Sequence, residues 1–258
     1  MNPAGGGRAA YPSLAGRRVL ITGGATGIGA ALVRAFAAQN AHVGFVDLQA
    51  APAAALVAEI AATGGSAAFE RCDLRDIAAL RAAIAALRAR LGPFTVLVNN
   101  AANDERHEFL DVTPEFFDDR VAVNLRHAYF AAQSVVPDMR AAGGGTIVNF
   151  GSVSWLMGSA DLSVYATLKS AAYGLTRVLA REFGSDNIRA NCILPGWIMT
   201  ERQIEKWLTP AGESAIRERQ CIKRALVPED IAKAVLFLAS EESSGMTCQQ
   251  IVVDGGWV

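Results

Sequence analysis

The chain has 258 residues, with 24 Lys and Arg against 25 Asp and Glu and a formal net charge of −1. Near-neutrality excludes a strongly basic nucleic-acid binder and a polybasic membrane-surface protein. With 52% apolar and 19% charged residues, disorder along the whole chain is excluded as well; 24 glycines, many alanines and only 7% aromatic residues point to a core of small side chains and closely approaching backbones.

Residues 1–16 are small, polar and rich in Gly and Pro, with no apolar run. They do not read as a secretory signal, and residues 1–12 are expected to be a flexible tail ahead of a single domain, 13–258. Strands are expected at 18–22, 42–47, 67–72, 95–99, 146–150, 189–194 and 250–253. Helical patterns fill 27–39, 52–62, 77–90, 114–142, 163–183 and 228–240. Val19-Leu20-Ile21 and Val96-Leu97-Val98 are apolar on both faces, as in a parallel sheet covered on both sides. The alternation gives an α/β chain: a single-domain Rossmann fold, with a doubly wound seven-stranded parallel sheet and helices on both faces. Function then sits at the carboxyl ends of the strands. No stretch is apolar enough for a membrane span. Cys72, Cys192, Cys221 and Cys248 form no CxxC pair, so the expectation is a reduced, cytoplasmic protein without a metal site.

The first strand runs into Thr22-Gly23-Gly24-Ala25-Thr26-Gly27-Ile28-Gly29. The GxxxGxG spacing of Gly23, Gly27 and Gly29 lets a backbone approach a pyrophosphate, and the following helix offers its N-terminal N–H groups. Asp47, 18 residues beyond Gly29, closes the second strand, where a carboxylate accepts bonds from ribose hydroxyls and repels a 2′-phosphate. Gly24, Thr26 and Leu48 offer no cation to neutralise one, so NAD is expected rather than NADP. Asp73, before Leu74, is placed to contact adenine, and the small residues of Asn99-Asn100-Ala101-Ala102 let a cofactor lie close.

Tyr165 and Lys169 are four residues apart on a helix and share one face. A tyrosine with a pKa of about 10 is a poor base at neutral pH, and a nearby ammonium lowers it. Ser152 follows an apolar strand at its carboxyl end, 13 residues before Tyr165. Asn124 lies in a helical stretch where a buried amide needs a partner.

Together these motifs resemble the short-chain dehydrogenase/reductase family, over roughly residues 14–258. The resemblance implies that Asn124, Ser152, Tyr165 and Lys169 form the catalytic tetrad. Tyr165 would take the proton of a substrate hydroxyl, and Ser152 would steady the reacting oxygen. Lys169 would hold the nicotinamide ribose and lower the Tyr165 pKa, with Asn124 anchoring a water beside it. Pro195-Gly196-Trp197-Ile198-Met199-Thr200 matches the family's loop after the sixth strand, where Ile198 and Thr200 meet the carboxamide. The implied cofactor set is Gly23, Thr26, Gly27, Ile28, Gly29, Asp47, Leu48, Asp73, Leu74, Asn100, Ala101, Tyr165, Lys169, Pro195, Gly196, Ile198 and Thr200.

Substrate specificity rests on the segments between these motifs. Residues 103–108, 154–162 and 197–207 are expected to line the pocket, within a lid over about 197–222. The expected substrate residues are Asn103, Asp104, Ser152, Ser154, Trp155, Tyr165, Trp197 and Gln203, with Arg106, His107 and Trp207 as further contributors. Hydrogen-bonding groups beside flat rings suit a polyhydroxylated ring, and an uncharged sugar is the expected partner. Asn103-Asp104-Glu105-Arg106-His107, Gly151-Ser152-Val153-Ser154-Trp155 and Thr209-Pro210-Ala211-Gly212-Glu213 resemble bacterial NAD-dependent aldose 1-dehydrogenases. That group oxidises the anomeric hydroxyl of a cyclic sugar such as D-xylose to a lactone. Leu156-Met157 departs from the group's pattern, where a histidine and an aliphatic residue are expected, and so leaves the sugar open. Another secondary alcohol, such as a polyol or 3-hydroxyacyl compound, and a non-enzymatic scaffold on the same fold are the alternatives. The resemblance also implies a homotetramer, with residues 114–142 and 163–183 pairing about one axis and strand 250–253 serving the other.

Overall fold

The computed structural model describes residues 9–258. Residues 1–8 of the expected tail lie outside the described residues. The tail's end is tethered: Tyr11 N–H donates to Gln39 Oε1 at 2.7 Å, and Gln39 Nε2 donates to the Ala9 carbonyl at 3.1 Å.

The strands are β1 (Arg18–Thr22), β2 (His42–Asp47), β3 (Ser66–Arg71), β4 (Val96–Asn99), β5 (Gly145–Phe150), β6 (Ile188–Pro195) and β7 (Gln250–Val253). They form one parallel sheet in the order β3-β2-β1-β4-β5-β6-β7. The helices are α1 (Gly27–Ala37), α2 (Ala50–Ala62), α3 (Ile77–Leu91), α4 (Pro114–Val121), α5 (His127–Ala141), α6 (Ser154–Met157), α7 (Ser163–Phe183), α8 (Glu201–Lys206), α9 (Pro210–Arg219) and α10 (Pro228–Ala239).

The two-residue period of the strands sorts the core into two layers. Val19, Ile21, Val43, Phe45, Val96 and Val98 pack against α1, α2 and α10. Leu20, Val46, Leu97 and Ile147 pack on the other face, with α3, α5 and α7. The alanines make these layers thin: Ala30, Ala31 and Ala37 of α1 are buried with Ala232 and Ala239 of α10. Among the described residues, no helix is long and apolar enough to cross a membrane.

The expected helix 114–142 is interrupted. Thr113 and Pro114 start α4 cleanly, with Thr113 Oγ1 accepting from Phe116 N–H at 3.2 Å. Residues Ala122–Arg126 then form a wider π turn before α5. Asn124 sits in that turn. The strand order reverses between β1 and β4, which opens a crevice at their carboxyl ends.

Candidate active site

The loop after β1 is shaped by what its glycines lack. Gly23 and Gly27 have φ of +70° and +54°, the left-handed region that favours glycine. A Cβ on Gly29 would lie 1.8 Å from the Gly23 carbonyl oxygen, and one on Gly27 would reach within 3.3 Å of Thr200. Asn100 Nδ2 donates to the Thr22 and Gly23 carbonyls at 3.1 and 2.8 Å, and Ala101 N–H donates to Thr22 Oγ1, tying the end of β4 to this loop. No side chain caps α1, so the N–H groups of its first turn remain for an acceptor from outside. A tight glycine turn at an uncapped helix N-terminus fits the pyrophosphate of a dinucleotide.

Asp47 does more than face that crevice. Its Oδ2 accepts from Ala25 N–H at 2.9 Å, bracing the glycine loop, and its Oδ1 accepts from Gln49 N–H at 3.0 Å. The parallel register places Arg71 of β3 opposite Asp47, and Arg71 Nε donates to the Leu48 carbonyl at 3.3 Å. Sequence reading found no cation here, because Arg71 is distant along the chain and adjacent only through strand pairing. Leu48 is exposed and Leu74 is buried. Asp73 turns its carboxylate to Arg75 at 2.7 Å, and that ion pair holds it below the usual carboxylate range.

At the other side of the crevice, Ser152 and Tyr165 line one cavity of about 320 Å³ together with Lys169. Lys169 is buried, and Nζ donates to the Phe150 carbonyl at 2.9 Å. It lies 5.6 Å from the centroid of the Tyr165 ring. Burial brings the ammonium down to about 8, so it remains charged at neutral pH. The expected lowering of the Tyr165 pKa is not found. Burial pushes the phenol up, the Asp104 carboxylate adds to this, and Ser152 and Arg202 pull it down. The expectation weighed the ammonium alone and left out the burial and the carboxylate.

Asn124 is buried and spans two segments. Its Oδ1 accepts from Asn103 N–H at 2.8 Å, and its Nδ2 donates to the Asn103 and Arg120 carbonyls at 3.1 and 3.0 Å. The π turn thereby fixes the loop after β4 beside the cavity. One turn on, His127 is buried 3.4 Å from Thr22 Oγ1. Burial first, then the Lys169 charge, hold the imidazole down at about 3, so it is neutral beside the ammonium.

The cavity is also lined by Ile28, Asn100, Pro195, Gly196, Ile198 and Thr200 from the expected cofactor set. Asp104, Ser154, Trp197 and Gln203 join it from the expected substrate set. Ser154 is buried and its Oγ has no partner, a polar atom left in the cavity wall. Four expected contributors are off the cavity lining: Trp207, which stacks with Arg106 at the rim, and three that are engaged elsewhere. Asn103 Oδ1 accepts from Glu105 N–H and from Arg202 Nη2. Trp155 packs against Val153, Cys192 and Leu194. His107 Nε2 lies 3.0 Å from Ser163 Oγ and accepts from Val164 N–H at 3.3 Å, so the imidazole serves the start of α7. Leu156 is exposed and off the cavity wall, whereas Met157 is on it.

Side-chain pairs close the rim. Arg106 pairs with Asp161 and stacks over Trp207 at 4.9 Å and Trp197 at 5.7 Å. Arg202 of α8 pairs with Asp104 at 3.0 Å, and Gln203 donates to the same carboxylate. Asp161 and Arg202 fall within the segments expected to line the pocket without being singled out there, and Trp257 lies in the Asp254-Gly255-Gly256-Trp257 stretch that shares the aldose-dehydrogenase resemblance; their partners at the rim come from distant segments.

The chain matches a family model described as enoyl-(acyl carrier protein) reductase over residues 23–258. It is 48% identical to a D-xylose 1-dehydrogenase of Caulobacter vibrioides, with 96% of this chain and 98% of that one aligned. It is 49% identical to a probable galactose dehydrogenase of Rhizobium meliloti, covering 95% and 96% of the two chains. A 7α-hydroxysteroid dehydrogenase solved with NADH and 7-oxoglycochenodeoxycholic acid superposes with a TM-score of 0.91 at 34% identity, covering 95% of this chain and 96% of that one. Agreement of this extent, on a sheet of this order and a crevice of this build, makes the chain a member of the short-chain dehydrogenase/reductase family, an oxidoreductase whose fold takes a nicotinamide cofactor.

Proposed function

We propose that the protein is an NAD-dependent aldose 1-dehydrogenase, oxidising the anomeric hydroxyl of a cyclic sugar to the aldonolactone. The carrying observation is the cavity over Ser152 and Tyr165: Asp104, Arg106, Asp161 and Gln203 stand around it with aromatic rings beside them. Such a lining, already paired across the rim, keeps lone pairs and N–H groups that several hydroxyls can share, and suits a polyhydroxylated ring better than an acyl chain or steroid. The two sugar-dehydrogenase relatives support the same reading, and D-xylose and D-galactose are the first substrates to test.

In this reading the Tyr165 oxygen, as phenolate, takes the proton of the sugar hydroxyl while Ser152 donates to the same sugar oxygen. Lys169, fixed by the Phe150 carbonyl, stands beside the Tyr165 ring, placed to hold a ribose hydroxyl of the cofactor. When bound, the nicotinamide supplies the electron-pair acceptor for the C–H bond that breaks. Asn124 holds the loop carrying Asp104 through Asn103. Glycine loop, Asp47, Asn100 and the 195–200 segment hold the dinucleotide.

The Asp47 carboxylate supports NAD over NADP, against the opposing charge of Arg71. A homotetramer in the cytoplasm completes the proposal. Phe117 of α4, Tyr129 of α5 and Val178 of α7 are exposed apolar side chains on the helices that would pair, and β7 is an edge strand with Val252 exposed. Light scattering behind a sizing column measures the assembly.

The deciding experiment offers D-xylose, L-arabinose, D-galactose and L-fucose with NAD and with NADP, following reduced-cofactor absorbance. Turnover of at least one aldose, faster with NAD, is expected. Silence on every aldose alongside turnover of a polyol or 3-hydroxyacyl compound would overturn the proposal.

A further inference from the structure

The segment following β7 is built into the wall of the cavity. Asp254 is buried, and its two carboxylate oxygens accept from Gly256 N–H at 2.8 Å and Val258 N–H at 2.9 Å. Gly255 and Gly256, at φ of +72° and +79°, let the chain turn tightly around that carboxylate. The turn is held from outside as well. Ile222 N–H donates to the Gly255 carbonyl at 2.9 Å, where the lid leaves α9, and Gly196 N–H donates to the Val253 carbonyl at 3.0 Å. Gly196 also lies so close that a Cβ there would sit 2.6 Å from Asp254 Cβ. The turn is tied on three sides, and the side chain it presents to the cavity is Trp257.

Trp257 has no catalytic chemistry to offer, and the fold does not bury it. It is half-exposed, in the same cavity wall as Trp197 and Gly196. The charged rim groups Asp104, Arg106 and Asp161 belong to other segments of the same lining. A cyclic sugar has matching anatomy: hydroxyls radiate from its edge, and its faces present C–H groups. An indole takes such a face by its flat apolar surface.

We propose that Trp257 is a specificity-determining residue, the aromatic platform for the C–H face of the sugar ring, pre-set by the Asp254 turn. This rests on the aldose reading above and deepens it. By pairing with Gly255, the segment leaving α9 keeps the platform at a fixed height beneath the substrate.

The test compares wild type, Trp257→Ala and Trp257→Phe on the aldose the wild type turns over best. For Trp257→Ala, KM for the sugar is expected to rise about tenfold, the effect of taking one stacking ring out of a pocket. Turnover at saturating sugar should stay within about threefold, and the NAD dissociation constant, read by titration calorimetry, within about twofold. Trp257→Phe keeps a flat ring and should restore KM to within about threefold of wild type. A general loss of structure would instead move kcat and NAD binding together, with no rescue by Phe, and would count against the proposal. An active wild type whose sugar KM is unmoved in Trp257→Ala overturns the inference alone. A wild type inactive on every aldose overturns the aldose reading and this inference with it.

Discussion

The two halves of the rim at the carboxyl ends of the strands are made in opposite ways. Around β1 and β2 the site is built by absence and by backbone: Gly29 has no room for a methyl group, and Asn100 and Asp47 hold main-chain groups. Around β5 and β6 it is built by long side chains reaching across gaps, with Arg106 on Asp161 and Arg202 on Asp104. The first half leaves little freedom to change. The second can be re-lined pair by pair while the sheet beneath stays the same, which is how one fold serves many substrates.

The largest effect is expected at the seam between the halves. Tyr165→Phe should lower turnover by about 10²–10⁴, the range of a lost general acid–base group, with NAD affinity unchanged by calorimetry. Retained activity would break the assignment of the seam. Next comes Gly29→Ala. Its methyl group would meet the Gly23 carbonyl, so a destabilisation of about 1–3 kcal/mol is expected, together with a loss of cofactor affinity of tenfold or more. If cofactor affinity survived, the glycine half would be more pliable than its geometry implies.

His127, below the seam, gives a smaller and pH-dependent effect. Its folded pKa, about 3, lies below the ordinary 6.5. Unfolded chains therefore bind the extra proton first, and stability present above pH 6.5 is lost as pH falls toward 3. The slope is at most about 1.4 kcal/mol per pH unit for one proton. Urea unfolding from pH 7 to pH 4 should show this decline in wild type and a shallower one in His127→Gln.

The mildest change tests the side-chain half. Asp104 helps to push the Tyr165 phenol up, so wild-type oxidation should accelerate as pH rises and the phenol ionises. Asp104→Asn removes that charge and frees Arg202, which pulls the phenol down. The rising limb of the pH–rate profile should therefore move to lower pH. A shift in the other direction would mean that Asp104 acts on the proton transfer through its rim contacts rather than its charge.

The same division explains what the sequence disclosed. Glycine spacing, Asp47 and the Tyr165–Lys169 pair are local patterns, and a parallel sheet of two-sided apolar strands follows from short runs such as Val96-Leu97-Val98. The break of helix 114–142 at Asn124 was invisible, because apolar periodicity does not register one wider turn. Asn103 and Trp155 were placed in the cavity by proximity along the chain, but hydrogen bonding to Arg202 and packing on Leu194 take them elsewhere. Asp161 lies in a segment expected at the pocket and Trp257 in a stretch shared with aldose dehydrogenases, but neither position says which partner it meets, since Arg106 and the Gly196 loop reach them from elsewhere in the chain.

Arg71 opposite Asp47 has a further consequence. The rim at the ends of β2 and β3 carries one carboxylate and one guanidinium in register, on neighbouring strands. Removing the carboxylate would leave the guanidinium in place but would also release the Ala25 and Gln49 N–H groups that Asp47 holds. In evolutionary terms, charge at this rim can change on two neighbouring strands that take no part in lining the substrate cavity, so the coenzyme end and the substrate end are free to vary separately.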